Sequence, residues 1–210
     1  MPIEEWSPSP NFGSRNGRSI IAIVDHTTSG TAESALSWFQ NPASKVSAHY
    51  LITRSGRIIQ LVKEGSAAYH AGIANKPNWS LYDGTNCNRY TLGIEHEGYD
   101  GSLTEEQYQA TLFLHKELTT KYSIPIDSEH IIGHYRIDSV DRPDCPGPWF
   151  PWERLFNGLR GVENVAEEVK PKKIHPNDVY LSVRVLDHLA DQAIKDINKL
   201  GFAAKRMELA

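Results

Sequence analysis

Two cysteines in 210 residues do not make a disulfide framework. No stretch approaches the roughly 18 to 20 apolar residues needed to cross a bilayer, so a membrane span is not expected. Acidic and basic residues number 26 and 22, for a net charge of −4. A general attraction to nucleic acid or to an anionic membrane is therefore not expected. The opening Met1-Pro2-Ile3-Glu4-Glu5-Trp6 has neither the basic nor the apolar region of an export leader. On that reading the chain stays in the cytoplasm until something else releases it, although a mature chain with its leader removed would look the same. With 40% hydrophobic and 23% charged residues, the length allows one substantial core and a small appendage.

What the chain does have is a concentration of chemistry in Gly133-His134-Tyr135-Arg136-Ile137-Asp138 through Asp144-Cys145-Pro146-Gly147. An imidazole and a thiol are joined there by a loop holding Pro143 and followed by Pro146, Pro148 and Pro151. His26 lies just past the apolar run Ile20 to Val24 and closes a His26/His134/Cys145 set. Three protein ligands with a fourth position open to water is how catalytic zinc is held, whereas structural sites use four. Taken singly, each residue has an ordinary reading: a histidine after a strand packs, and Cys145 is a buried small side chain. If Cys145 is a metal thiolate, Cys87 is left unpaired, which fits a reducing compartment.

Hydrophobic periodicity supplies the frame. Residues 7–18 read as an extended arm without period, and Ile20 to Val24 as a strand buried on both faces. Thr31 is a plausible N-cap for a short helix whose apolar side is Ala35, Leu36, Trp38 and Phe39, ended by Asn41-Pro42. Ala48 to Thr53 and Arg57 to Val62 flank a glycine-containing hairpin turn. Residues 67–89 form a long irregular loop, the kind that is usually functional. Its Tyr69, His70, Trp79 and Tyr82 either line a groove or pack the loop onto the sheet. Thr91 to Glu97 alternates, with Leu92, Ile94 and His96 on one face and Gly93, Glu95 and Glu97 on the other. Thr104 and Gln107 make a capping box for a helix running to about Tyr122, on which His115 reads as structural. His134 follows a short apolar run, and Trp152 to Leu159 forms a last short helix.

Five segments then occur in a telling order: Val24-Asp25-His26-Thr27-Thr28, Val46-Ser47-Ala48-His49-Tyr50, Tyr69-His70-Ala71-Gly72, Leu92-Gly93-Ile94-Glu95-His96-Glu97-Gly98, and Gly133-His134 through Cys145-Pro146-Gly147. Over about residues 18 to 159 the chain resembles the zinc-dependent N-acetylmuramoyl-L-alanine amidases, the family of amidase-type phage lysozymes and peptidoglycan recognition proteins. The resemblance implies Zn2+ on His26, His134 and Cys145, Glu95 as general base, His70 in substrate contact, and bacterial peptidoglycan as substrate. Two departures stand out. Some relatives carry a lysine where this chain has Pro143, and some a tyrosine where it has Ala48. Arg142 or Tyr50 is then the candidate to assist the oxyanion. A phage endolysin is the expected form. A recognition module that binds without cutting, and a recycling amidase acting on soluble muropeptides, remain as alternatives.

The expected fold is α/β: a central mixed β-sheet flanked by helices, with a small C-terminal β-α-β appendage. Residues 1–160 would form the catalytic domain, 161–174 a linker, and 175–210 the appendage. A β-α-β unit of that size buries too little apolar surface to stand alone. We expect it to pair with the same segment of a second copy as a homodimer that binds wall; the alternative is that it packs onto its own catalytic domain.

Overall fold

The computed structural model describes residues 5–162, so the linker and the β-α-β appendage expected after residue 160 lie almost wholly outside the described residues. Strands β1 (Glu5–Trp6), β2 (Phe12–Ser14) and β3 (Ala22–Thr27) are followed by helix α1 (Ala32–Gln40). Next come β4 (Tyr50–Ile52), β5 (Ile58–Gln60), β6 (Ser66–Ala68) and β7 (Thr91–His96). Helix α2 (Glu105–Tyr122), strand β8 (Ile131–Gly133) and helix α3 (Trp152–Leu159) complete the described chain.

Six strands form one mixed sheet in the order β1-β5-β4-β7-β3-β8, while β2 and β6 pair separately. Only β4 and β5 run antiparallel in the large sheet, as the hairpin around Gly56 requires. The parallel centre β4-β7-β3-β8 is covered on both faces, which explains its nearly unbroken apolar sequence. Ile23, Tyr50, Ile52, Leu92 and Ile94 pack against Ala110, Leu114 and Leu118 of α2 on one face. On the other face, Leu51 and Ile59 pack against Ala35 and Phe39 of α1. Ala22, Val24 and Ile132 on that face are covered by Trp79 from the irregular loop and by Tyr90 just before β7. Each fully buried side chain of this size contributes roughly 1.5–3 kcal/mol.

Local signals act as expected at the helix starts. Thr31 Oγ1 accepts from Ser34 N at 3.3 Å, and Thr104 Oγ1 accepts from Gln107 N at 3.1 Å. The capping box is only half made, because the Gln107 amide turns inward to donate to the carbonyls of Ile52 and Glu97. Residues 7–18 depart from the featureless arm: β2 lies within them, and Arg15 is buried, its guanidinium donating to the carbonyls of Glu64, Arg89 and Thr91. These bonds tie the arm to the loop before β7. Trp38, expected on the packed side of α1, is 53% exposed.

Candidate active site and metal centre

Register brings the site together. His26 of β3 pairs directly with Glu95 of β7, and Asp25 with Gly133 of β8. Alternation then sends His26 and Glu95 to the same face, and His134 follows the end of β8 beside them. The Cys145 loop returns over this point, with Tyr135 N donating to Cys145 O at 3.1 Å. Gly147 permits the return. Its φ is +125°, and a Cβ there would lie 2.2 Å from the Asp100 carbonyl carbon.

His26 Nδ1 lies 3.1 Å from His134 Nδ1 and 4.0 Å from Cys145 Sγ. The ligand atoms of the three residues all lie within 4.8 Å of one another. Zinc bonds of about 2.0–2.3 Å imply tetrahedral edges of roughly 3.3–3.6 Å, which the two nitrogens nearly match, while Cys145 Sγ stands further out than a bound thiolate would. Burial is the first cause holding His26 well below the ordinary imidazole value, with His134 adding to it; His134 is lowered for the same first reason. Both imidazoles are therefore neutral. Burial, reinforced by Glu95, pushes the Cys145 thiol up to about 12. Two facing nitrogen lone pairs and a thiol fit a soft divalent cation, which attracts both lone pairs and displaces the thiol proton.

Glu95 sits on the floor of the same cleft, and its buried Oε2 has no hydrogen-bond partner among the described residues. Burial raises its pKa from 4.5 to about 8, against the opposing pull of Arg142. A carboxylate in that state is suited to proton transfer near neutral pH. Glu97, two residues on, is not at the site: its carboxylate accepts from Ala32 N at 3.0 Å and Arg54 N at 2.8 Å, stabilising the start of α1.

The cleft has a volume of about 1430 Å³, with Arg142 on its exposed rim. Tyr50 does not reach it. Its register with Ile94 puts it on the α2 face, where its hydroxyl donates to Glu64 at 2.6 Å. Strand β4 begins only at Tyr50, and Ala48 packs with Leu51 and Ile59 on the α1 face while Tyr50 packs on the α2 face, so strict alternation does not relate Ala48 to Tyr50. The expected aromatic lining also divides. Tyr69 and His70 line the cleft, while Trp79 is buried, stacked on Tyr90 and donating to the Glu129 carbonyl. Exposed Trp38 and Tyr99 line the cleft as well.

Beneath the site is a layer that sequence reasoning did not connect to it. His115 Nδ1 faces the Thr111 carbonyl at 2.8 Å and its Nε2 faces Asp25 Oδ2 at 3.2 Å. Both acceptors call for a donor, and the Asp25 carboxylate raises the His115 pKa against its burial. His115 thus braces Asp25, the residue before His26, from the α2 side. His96 Nδ1 donates to the His26 carbonyl at 3.0 Å. No periodic signal marks these partners, because each bond joins elements far apart in the sequence.

The N-acetylmuramoyl-L-alanine amidase family model matches residues 16–148. N-acetylmuramoyl-L-alanine amidase A of Achromobacter lyticus is 30% identical over 178 residues, covering 74% of this chain and 93% of that protein. The 1,6-anhydro-N-acetylmuramyl-L-alanine amidase AmpD of Salmonella typhimurium is 39% identical over 125 residues, covering 59% of this chain and 62% of that protein. Among solved structures, a selenomethionine AmpD derivative superposes with a TM-score of 0.61 at 28% identity, covering 76% of this chain and 95% of its own. With its fold, its His/His/Cys cluster and these relatives in agreement, the chain belongs to the N-acetylmuramoyl-L-alanine amidase family.

Proposed function

We propose that the cleft hydrolyses the amide between the lactyl group of N-acetylmuramic acid and L-alanine in bacterial peptidoglycan, using a zinc ion held by His26, His134 and Cys145. The observation that carries this reading is the convergence of two neutral imidazole nitrogens and a thiol beside the unpartnered Glu95 oxygen. Bound zinc lowers the pKa of its water from 15.7 to about 7 and polarises a carbonyl. Glu95 takes a proton from the attacking water at its free Oε2 and returns it to the leaving amine of L-alanine. The water oxygen ends in the lactyl carboxylate, and the peptide leaves with a free amino terminus. Arg142, a cation on the cleft rim, would stabilise negative charge developing on the carbonyl oxygen. Burial of His26 and His134 keeps bulk water from competing for their nitrogens.

A recognition module without activity would be expected to lack a metal ligand, and here all three are present. The 39% identity to the AmpD relative favours a second reading of the substrate, a soluble 1,6-anhydro muropeptide. An endolysin would act on intact wall instead, after release from the cytoplasm. Among the described residues no helix is long and apolar enough to cross a membrane. The test incubates the protein with purified wall and, separately, with soluble anhydro-muropeptides, each with and without chelator. New L-alanine amino termini that chelator abolishes support the amidase; the better substrate separates the two forms. New reducing sugar ends in their place would overturn the reading.

A further inference from the structure

The hydrogen-bond partners of the site histidines fix where their protons are. Thr91 Oγ1 gives its proton to the Cys87 carbonyl at 2.8 Å, so it accepts from His70 Nε2 at 3.0 Å. His70 Nδ1 is then a bare acceptor, and it lies 3.0 Å from His26 Nε2, which must donate. That leaves His26 Nδ1 bare, the nitrogen facing His134 and Cys145. The next residue does the same for the other histidine: the Ala71 carbonyl lies 3.1 Å from His134 Nε2, so that nitrogen carries the proton and Nδ1 is bare. Asn88 Oδ1 anchors both residues, accepting from His70 N at 3.1 Å and Ala71 N at 2.8 Å. Gly93 makes the space, since a Cβ there would lie 2.3 Å from His70 Cγ.

We propose that the His70-Ala71 dipeptide, held by Asn88 and Thr91, is the positioning device that sets the tautomers of His26 and His134 so that both present Nδ1 to one metal ion. The assignment rests on the reading of these histidines as zinc ligands. It moves His70 from substrate contact to support, because both of its ring nitrogens are engaged inside the protein. Partners of this kind commonly alter metal affinity about 10–100-fold.

Thr91→Val keeps the shape of the side chain and removes the acceptor. His70 is then free to move its proton to Nδ1, forcing the His26 proton onto the nitrogen that faces the metal. Zinc affinity of the full chain, measured by competition with a chromophoric chelator, is expected to fall about 10–100-fold in Thr91→Val and to return to within about threefold in Thr91→Ser. Long-range proton–nitrogen NMR on the metal-free wild type is expected to show His26, His70 and His134 all protonated at Nε2. Wild-type affinity in Thr91→Val, or an equal loss in Thr91→Ser, would overturn the proposal. If Thr91→Val fails to fold, the wild-type spectrum still decides: His26 protonated at Nδ1 refutes it. A wild type that binds no zinc, yet shows the expected tautomers, overturns the metal reading and with it the metal-positioning role, while upholding the tautomer assignment.

Discussion

Glu95→Gln tests the active-site electrostatics in the metal-free protein, before any assay of catalysis. The carboxyl is raised from 4.5 to about 8 because burial disfavours its charge. A raised acid binds its proton more tightly when folded, so its contribution to stability is fullest below pH 4.5 and is lost as pH climbs towards 8. The ceiling on the slope is about 1.4 kcal/mol per pH unit. Because the cleft opens to water, we expect about half of that, or roughly 2 kcal/mol between pH 5 and 8. Other groups share the window. His26, His49, His70, His96 and His134 are depressed, first by burial, and lose stability as pH falls below the ordinary value of 6.5. His115, raised by Asp25, loses it as pH rises. Glutamine is nearly isosteric and does not titrate, so the difference between wild type and variant cancels these terms. Urea unfolding in chelator at half-unit pH steps measures it. A difference that is flat from pH 5 to 8 would refute the buried, unpartnered carboxyl.

With zinc present, the same Glu95→Gln variant should bind metal normally while amide hydrolysis falls about 10²-fold or more; full turnover removes Glu95 from the mechanism. Cys145→Ser should lose zinc, activity and the zinc-dependent part of its melting temperature, and should melt close to wild type in chelator. Gly147→Ala strains a φ of +125° and drives a Cβ into the Asp100 carbonyl, so differential scanning calorimetry should register a loss of about 2–4 kcal/mol. The segment 175–210 remains an expectation: light scattering should give a dimer for the full chain and a monomer after truncation at Arg160, and a monomeric full chain would defeat the pairing.

What the sequence determined by itself was set by short-range rules. Alternation along residues 91–97 separated Glu95 from Leu92 and Ile94, and Thr31 and Thr104 marked helix starts, because side-chain direction and capping depend on neighbours a few residues away. The order of the five motifs named the family and its His26, His134 and Cys145 set, and the geometry of the fold draws those three together. Only the tertiary structure decided what depends on register between distant strands. Pairing of Tyr50 with Ile94 sent Tyr50 to the wrong face for an oxyanion role. Trp79 proved to be core, and Trp38 on α1 took a place at the cleft, because periodicity says which residues share a face but not which face a loop will cover. The hydrogen bonds behind His26 and His134, from Thr91, Asn88 and the Ala71 carbonyl on one side and from Asp25 with His115 on the other, tie loops and a helix to the sheet. Such bonds join residues with no shared period, and a backbone carbonyl has no letter in the sequence.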